Sequence, residues 1–243
     1  MLSTIIKGEN MYSNKKIMAF IPARGGSKGI KNKNMVLLNG QPLIWYSIMQ
    51  ARQSQYVDDI YISTDSVIIS DYVLSLGFDN VYVIKRPDEL AQDTSKTIDA
   101  VVHTFEVLKA QNKQYDYMVE LQPTSPLRQA QFIDEIIVQG IDKNQPDIVS
   151  VHTVHEHPIL MRWKKDDDLT TILPTSSTVR RQDMPPVYYV DGMLYLYRTD
   201  LLTSETSLND ARYGYEVDEK YCVDINNPAD LIECERRLKE TAE

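Results

Sequence analysis

Short apolar segments alternate with longer amphipathic segments through the first 150 residues of the chain. The pattern predicts strands over residues 17–21, 59–63, 81–84, 117–121 and 147–152, and helices over residues 42–52, 66–76, 95–111 and 129–140. This alternation is typical of an α/β fold with a doubly wound, mostly parallel sheet. Ligands of such sheets bind at the carboxyl ends of the strands, so we expect the loops that begin at Pro22, Ser63, Lys85 and Gln122 to meet in one site.

The alternation stops between His155 and Pro186. That stretch holds a KKDDD run, a Ser/Thr run and isolated apolar residues, so we predict an inserted arm over about residues 155–186. Beyond it the pattern predicts a strand over residues 187–197, a last strand over 221–225 and a last helix over 228–239. Residues 1–15 show no clear periodicity. We predict a mobile leader there, followed by a single domain over residues 16–243.

Composition places the chain among ordinary globular proteins and narrows its partners. The 243 residues are 42% hydrophobic and 25% charged, with a formal net charge of -9. An acidic protein is a poor match for nucleic acid. No apolar run approaches the roughly 18 residues that span a membrane, and no signal-peptide pattern opens the chain. Cys222 and Cys234 form no C-x-x-C pair, so we expect no disulfide framework and a cytoplasmic location.

One loop carries most of the candidate chemistry. It follows the first predicted strand in the segment IMAFIPARGGSKGIKNKN, from Ile17 to Asn34, where glycines allow a ligand to approach the backbone closely. No Asp or Glu occurs between Asn10 and Val57, a window that holds seven Lys and Arg. This charge pattern predicts a polyanionic ligand such as a nucleoside triphosphate, with a lysine-rich surface turn as the alternative. The loop matches neither G-x-x-x-x-G-K-[ST] nor G-x-G-x-x-G, which disfavours a P-loop ATPase or a dinucleotide oxidoreductase.

The loop resembles the signature of the acylneuraminate cytidylyltransferases, the CMP-sialic acid synthetases. That signature reads IPAR-x-x-SKG-x-x-x-KN, and the chain matches it at residues 21–24, 27–29, 33 and 34. The resemblance continues through RPDELAQDTSKTIDAVVH (86–103), QPTSPLR (122–128), RQDMPP (181–186) and the region of Asp224. It implies a nucleotide-diphospho-sugar transferase-like fold. It also implies transfer of CMP from CTP to a sialic-acid-type nine-carbon 2-keto sugar acid, giving the CMP-sugar and pyrophosphate.

The resemblance assigns roles to individual residues. The nucleotide-binding residues it implies are Arg24, Ser27, Lys28, Lys33, Asn34 and Arg86. Arg24, Lys28 and Asp224 are the implied catalytic residues, and Lys28 is best placed to stabilise charge on the α-phosphate and the departing pyrophosphate. Gln122 is the implied sugar ligand, because its amide can both donate and accept hydrogen bonds. A salt bridge at a helix start is the alternative for Arg86.

The arm and the metal site also follow from the resemblance. The arm would exchange with a second protomer of a homodimer, so that Arg181 of one protomer reaches the sugar carboxylate in the other, unless Arg181 is merely a rim residue. The family pattern Asp-x-Asp would hold magnesium, and this chain keeps Asp224 but has Asn226 as its partner, a weaker ligand because an amide brings no charge. The alternative for Asp224 is a helix cap, a position that Asn227 occupies better.

Several functional alternatives stay open at this point. A 3-deoxy-manno-octulosonate cytidylyltransferase would share the fold but departs from the SKG-x-x-x-KN pattern. A catalytically inactive nucleotide- or sugar-binding homologue is a second alternative, because Asp191 and Asn226 replace the family's usual Asn and Asp. The sugar could be sialic, legionaminic or pseudaminic acid, and the nucleotide should be CTP rather than UTP. His152, His155 and His157 are not expected to bind metal, since no Cys or carboxylate ligand set completes a zinc site nearby and the segment leads into the arm.

Overall fold

Strands and helices alternate along the chain in the computed structural model, which describes residues 12–27, 29–174, 178 and 180–240, without the side chain of Arg181. In chain order the elements are β1 (Ile17–Pro22), β2 (Leu37–Leu38), β3 (Gln41–Pro42), α1 (Leu43–Gln53), β4 (Asp59–Thr64), α2 (Val67–Ser75), β5 (Val81–Lys85), α3 (Thr97–Ala110), β6 (Tyr117–Leu121), α4 (Ala130–Asp142), β7 (Asp147–Thr153), β8 (Arg162–Lys165), β9 (Asp168–Thr171), β10 (Tyr188–Arg198), β11 (Tyr213–Glu216) and α5 (Pro228–Glu240). Each predicted helix begins and ends within two residues of its expected bounds. Pro42, predicted as the first helical residue, instead precedes α1.

Within the described ranges the largest sheet has seven strands, in the order β11-β7-β10-β6-β1-β4-β5. Strands β6, β1, β4 and β5 are mutually parallel, and β11 is parallel to β7. Only β10 runs opposite to its two neighbours, β6 and β7. The predicted doubly wound, mostly parallel α/β sheet is therefore confirmed.

The residues of β1, an inner strand, show why helices cover both faces of the sheet. Its first five residues are fully buried, and successive side chains of a strand point to opposite faces. Ile17, Ala19 and Ile21 pack with the apolar sides of α1, α2 and α4. Met18 and Phe20 pack with α3 on the other face. The carboxyl end of β1 then continues into the glycine-rich loop.

The segment 221–225 is not the last strand, contrary to the prediction. Residues Glu219–Tyr221 form a 3-10 turn that the Asp218 side chain caps. The backbone N–H of Ile225 donates to the carbonyl oxygen of Thr124 at 2.9 Å, in the loop after β6. The segment therefore makes no strand ladder, although its apolar residues are buried at alternate positions, and β11 is the last strand.

The predicted arm contains a two-stranded hairpin, β8 and β9, that was not predicted from the sequence. Among the described residues these strands pair only with each other. Trp163 and Leu169 on the hairpin are each 65% exposed. The two ends of the arm are held together, because the backbone N–H of Val154 donates to the carbonyl oxygen of Val187 at 3.2 Å.

Residues 12–15, the described part of the predicted leader, contact the domain. The Tyr12 hydroxyl donates to the Asp142 carboxylate at 2.8 Å, and Lys15 Nζ lies 2.9 Å from a carboxylate oxygen of Asp116. Residues 1–11 of the predicted leader are outside the described residues.

Both cysteines are free thiols. Cys234 is buried in α5, and Cys222 is partly buried in the segment before it. Of the helices in the described ranges, none combines the length and apolar character needed to cross a bilayer.

Candidate active site

A cavity of about 280 Å³ opens at the carboxyl edge of the parallel strands, where the sequence pattern placed the site. Three segments line it, those that follow β1, β5 and β6, and the loop after β4 contacts the first of them through Asp65. The predicted site residues that line it are Arg24, Ser27, Lys33, Asn34, Arg86 and Gln122. The structure therefore brings together six residues that are up to about a hundred positions apart in the chain.

The glycine-rich loop is held in place by acceptors from neighbouring loops. Gly25 donates its backbone N–H to Asp65 Oδ1 at 2.8 Å, and Arg24 lies 3.0 Å from Asp93 Oδ1. Asn34 is buried and donates its side-chain amide to the Arg24 carbonyl oxygen at 2.9 Å, so its observed contact orders the loop. Asp65 was not predicted as a site residue. Its position after β4 was the available signal, because the loop after Ser63 was expected at the site.

Lys33 connects this loop to the segment before α5. Its ammonium donates to the carbonyl oxygen of Ile225 at 2.9 Å and to Asn226 Oδ1 at 3.3 Å. Burial lowers the pKa of the Lys33 ammonium from its usual value, and the nearby Asp224 opposes that shift. A Cβ atom on Gly29 would collide with the backbone carbonyl of Asn226. Close approach of the two segments therefore requires glycine at position 29.

Asp224 and Asn226 lie beside the cavity rather than in its wall, and Lys33 links them to it. The Asn226 amide donates to Asp224 Oδ2 at 2.7 Å, so the two side chains converge although the segment is not a strand. The α5 cap is Asn227, whose Oδ1 accepts from the backbone N–H of Ala229 at 2.8 Å. Asp224 has no such contact among the described residues and is available to a ligand. Carboxylate and amide oxygens are donors that suit magnesium.

Arg86 is buried in the cavity wall, and no acid of a helix start pairs with it among the residues that the structure describes. Its Nε donates to Ser63 Oγ at 3.0 Å, and its NH2 group donates to the Ser63 carbonyl oxygen at 2.8 Å. Desolvation by burial lowers the pKa of the Arg86 guanidinium from its usual value. Arg86 therefore ties the end of β4 to the end of β5 and keeps a cationic group against the cavity.

Gln122 lies between the first cavity and a second one of about 350 Å³, because it contributes to both walls. Its backbone carbonyl accepts a hydrogen bond from Arg128 at 2.7 Å. Arg128 is fully buried and also donates to the Met193 carbonyl oxygen and to Ser47 Oγ, each at 2.9 Å. Burial lowers the pKa of Arg128 to about 9. The final arginine of QPTSPLR thus fixes the loop, a role that we did not assign from the sequence.

We predicted no histidine metal site because we expected no further ligands nearby. For His152 this reason is wrong. Asp191 Oδ2 lies 3.8 Å from His152 Nδ1 and accepts a hydrogen bond from Cys222 Sγ at 3.4 Å. In the described part of the chain, no other set of three or more His, Cys, Asp or Glu residues has ligand atoms that all lie within 4.8 Å of one another. Asp191 also accepts hydrogen bonds from the Met193 backbone and the Ser150 hydroxyl. The three residues of this cluster are far apart in the sequence, so no sequence motif marks it.

Two predicted residues cannot be placed. Lys28, predicted to be catalytic, is outside the described residues, and so is the side chain of Arg181. The backbone of residues Arg181–Asp183 forms a 3-10 turn in the arm. The roles of both side chains stay predictions from the sequence.

Comparisons with known proteins show which family the chain resembles. The family described as Cytidylyltransferase matches residues 18–242. An N-acylneuraminate cytidylyltransferase of Streptococcus agalactiae serotype V is 31% identical over 221 residues, which are 89% of this chain and 52% of that protein. A pseudaminic acid cytidylyltransferase of Campylobacter jejuni is 31% identical over 182 residues, 74% of this chain and 77% of that protein. The chain spans about half the length of the Streptococcus relatives it matches.

A solved structure has a similar fold. The CMP:2-keto-3-deoxy-manno-octonic acid synthetase complexed with CTP matches with a TM-score of 0.67 over 93% of this chain and 99% of that one. Its sequence identity is 18%, so this likeness shows the fold alone.

Proposed function

The chain belongs to the cytidylyltransferase family, and from this we propose that it transfers CMP from CTP to a sialic-acid-type nine-carbon 2-keto sugar acid, releasing pyrophosphate. One observation carries the proposal. Six residues predicted to bind the two substrates surround a single cavity at the carboxyl edge of the sheet. Relatives that share about 30% of the sequence are named for this chemistry, with different sugar acids.

The two adjoining cavities suggest how the substrates are arranged. We place the triphosphate and cytosine in the first cavity, against Arg24, Lys33 and Arg86, whose charge neutralises the phosphates. We place the sugar acid in the second cavity, with Gln122 at the boundary between them. The anomeric hydroxyl of the sugar would then attack the α-phosphate in line, a reaction that needs positioning and charge neutralisation rather than a covalent nucleophile.

Magnesium fits this arrangement. Asp224 would hold it through its carboxylate, with Asn226 as the weaker ligand, because the Asn226 oxygen accepts from Lys33 and its NH2 group faces Asp224. When bound, the ion would neutralise charge on the triphosphate. Lys33 contributes to the same end by positioning the segment that carries Asp224 and Asn226.

The reaction is tested by incubating the protein with CTP, magnesium and a panel of sugar acids, and by following pyrophosphate. The panel holds sialic, legionaminic and pseudaminic acids together with 3-deoxy-manno-octulosonate. We expect release with at least one nonulosonic acid, little with 3-deoxy-manno-octulosonate, and a preference for CTP over UTP in competition. Release with 3-deoxy-manno-octulosonate alone, or with no sugar in the panel, would refute the proposal.

We further propose a cytoplasmic homodimer in which Arg181 acts on the sugar carboxylate of the partner's site. The exposed Trp163 and Leu169 on the β8–β9 hairpin support it, because large apolar side chains at this exposure are typical of contact surfaces. Sedimentation velocity gives the oligomeric state. A sharper test mixes Lys28→Ala and Arg181→Ala protomers, each inactive alone. If Arg181 acts across the interface, exchange restores about a quarter of wild-type activity, one intact site per mixed dimer, and no restoration would contradict it.

A further inference from the structure

Glu120 is an unusual residue for the middle of a strand. It lies on β6 between Phe20 of β1 and Tyr195 of β10, and it is fully buried. A buried carboxyl group is costly unless hydrogen bonds compensate it. Among the described residues its Oε2 atom has no hydrogen-bond partner. Nothing in the proposed chemistry so far uses this group.

Among the described residues, the side-chain hydrogen bond to Glu120 comes from Gln122, the first residue after β6. The Gln122 amide nitrogen donates to Glu120 Oε1 at 3.4 Å. The two side chains therefore lie beside each other, and both residues line the second cavity.

Charge decides which end of the Gln122 amide faces Glu120. A carboxylate accepts hydrogen bonds only, so it attracts the NH2 group and repels the carbonyl oxygen. The nearby cations Arg128 and Arg86 favour the charged form of Glu120, against the burial that raises its pKa to about 7. With the NH2 group directed towards Glu120, the carbonyl oxygen of Gln122 is directed away from Glu120 and lies close to Gly192 of β10.

Tyr195, which also lines the second cavity, donates its hydroxyl elsewhere than to Gln122. The Tyr195 hydroxyl, opposite Glu120 across the β6–β10 pair, is committed to Asn209 Oδ1 at 2.9 Å. The backbone of Gln122 is fixed separately by Arg128, so its side-chain orientation depends on Glu120. A substrate that meets the Gln122 oxygen must therefore bring its own donor.

We propose that Glu120 is a positioning residue that orients the Gln122 amide, and that the enzyme thereby selects sugar acids with an N–H or O–H donor at the Gln122 contact. This inference rests on the proposed function, because it takes the sugar acid as the occupant of the second cavity. It adds to that function a named basis for sugar specificity. A site built to accept a hydrogen bond rejects an analogue that lacks the donor, because the buried acceptor is then left unpaired.

The test compares matched pairs of nonulosonic acids in steady-state assays. One pair replaces an acylamino group by an O-acyl ester of the same shape, and another replaces a hydroxyl by hydrogen, so the two arms distinguish an N–H from an O–H donor. We expect the wild type to prefer the donor-bearing member of one pair by about tenfold or more in kcat/KM. Glu120→Leu should reduce that ratio to near one, and Glu120→Gln to an intermediate value.

A double-mutant cycle shows whether Glu120 acts through Gln122. In a Gln122→Leu background, the change Glu120→Leu should alter the sugar KM by less than about twofold. Glu106→Gln, an exposed acid on α3, controls for loss of one negative charge. The KM for CTP and the thermal unfolding midpoint report whether each variant is folded, and Glu120→Gln keeps the test valid if Glu120→Leu does not fold.

The outcomes separate this inference from the proposed function. If the wild type releases pyrophosphate with a nonulosonic acid but neither donor pair is discriminated, or if the effects at the two positions are additive, the positioning role of Glu120 is wrong and the proposed function stands. If no nonulosonic acid supports the reaction, both are overturned.

Discussion

The side-chain amide of Asn226 donates to the carboxylate of Asp224 at 2.7 Å, and the Asn226 oxygen lies 3.3 Å from the ammonium of Lys33. Lys33 belongs to the glycine-rich loop, and the two other residues precede α5. Hydrogen bonds therefore connect the glycine-rich loop directly to the two proposed metal ligands. A change at Asn226 should therefore affect the metal and the loop together.

Replacing Asn226 by Asp should lower the magnesium concentration for half-maximal activity by about three- to tenfold, because a second carboxylate adds negative charge to the site. Asp224→Asn should raise that concentration or abolish pyrophosphate release. Magnesium titrations at saturating CTP measure both effects, with Asp79→Asn, an exposed acid, as the charge control. An unchanged midpoint in Asn226→Asp together with full activity in Asp224→Asn would exclude this segment as the metal site.

Gly29→Ala should destabilise the protein by about 1–3 kcal/mol, because its Cβ would collide with the backbone carbonyl of Asn226. Gly26→Ala is the matched control in the same loop, since a Cβ there meets no atom within 4 Å. It should change the free energy of unfolding by less than about 0.5 kcal/mol. Urea unfolding curves measure both variants. Equal destabilisation at the two positions would show that the contact between the loop and Asn226 is not needed.

Lys28→Ala should reduce turnover by about a hundredfold or more, because its charge is predicted to stabilise the α-phosphate as pyrophosphate departs. The free energy of unfolding should stay within about 0.5 kcal/mol of the wild type, because a loop lysine predicted to bind phosphate has few apolar contacts to lose. Lys31→Ala, an exposed lysine of the same loop, is the control and should retain its turnover within about twofold. Near-normal turnover of Lys28→Ala at saturating CTP would show that Lys28 is not catalytic.

Glu120 should make stability depend on pH in a direction opposite to that of a salt-bridged acid. Burial raises its pKa from 4.5 to about 7, so between these values the folded state holds a proton that the unfolded state has released. Stability contributed by this group is therefore present below pH 4.5 and is lost as pH rises to about 7. Relative to wild type, Glu120→Gln should gain on the order of 3 kcal/mol between pH 4.5 and pH 8. Urea unfolding across this range measures it, and a constant difference would contradict the prediction.

The sheet and the location of the site could be predicted because they depend on local patterns. The strand Tyr117–Leu121 was predicted with its observed bounds, and the loops after β1, β4, β5 and β6 do meet at one edge. The direction of β10 could not be predicted, because residues 193–197 are all buried, and a strand buried on both faces has a continuous apolar run whether it is parallel or antiparallel. The segment 221–225 shows a related limit. Alternate burial at Val223 and Ile225 is typical of a strand, yet an irregular segment fixed by Thr124 produces it as well.

Contacts between distant buried polar groups account for most of what was missed. Arg128 was recognised as part of a motif, but its donors reach Met193 and Ser47, residues that are more than sixty positions away. Glu120 carried a signal that could have been used, an acid in the otherwise apolar strand sequence YMVEL. The cluster of His152, Asp191 and Cys222 had no such signal, because its members come from three separate parts of the chain.

The reversed direction of β10 has a consequence for how this fold can change. Because β7 ends and β10 begins at the same edge of the sheet, the arm leaves and re-enters the domain on the substrate side. Lengthening, shortening or exchanging the arm would leave the parallel strands unchanged. In the proposed homodimer the dimer contacts and the Arg181 contact with the sugar acid belong to this one segment, so divergence in one is expected to bring divergence in the other.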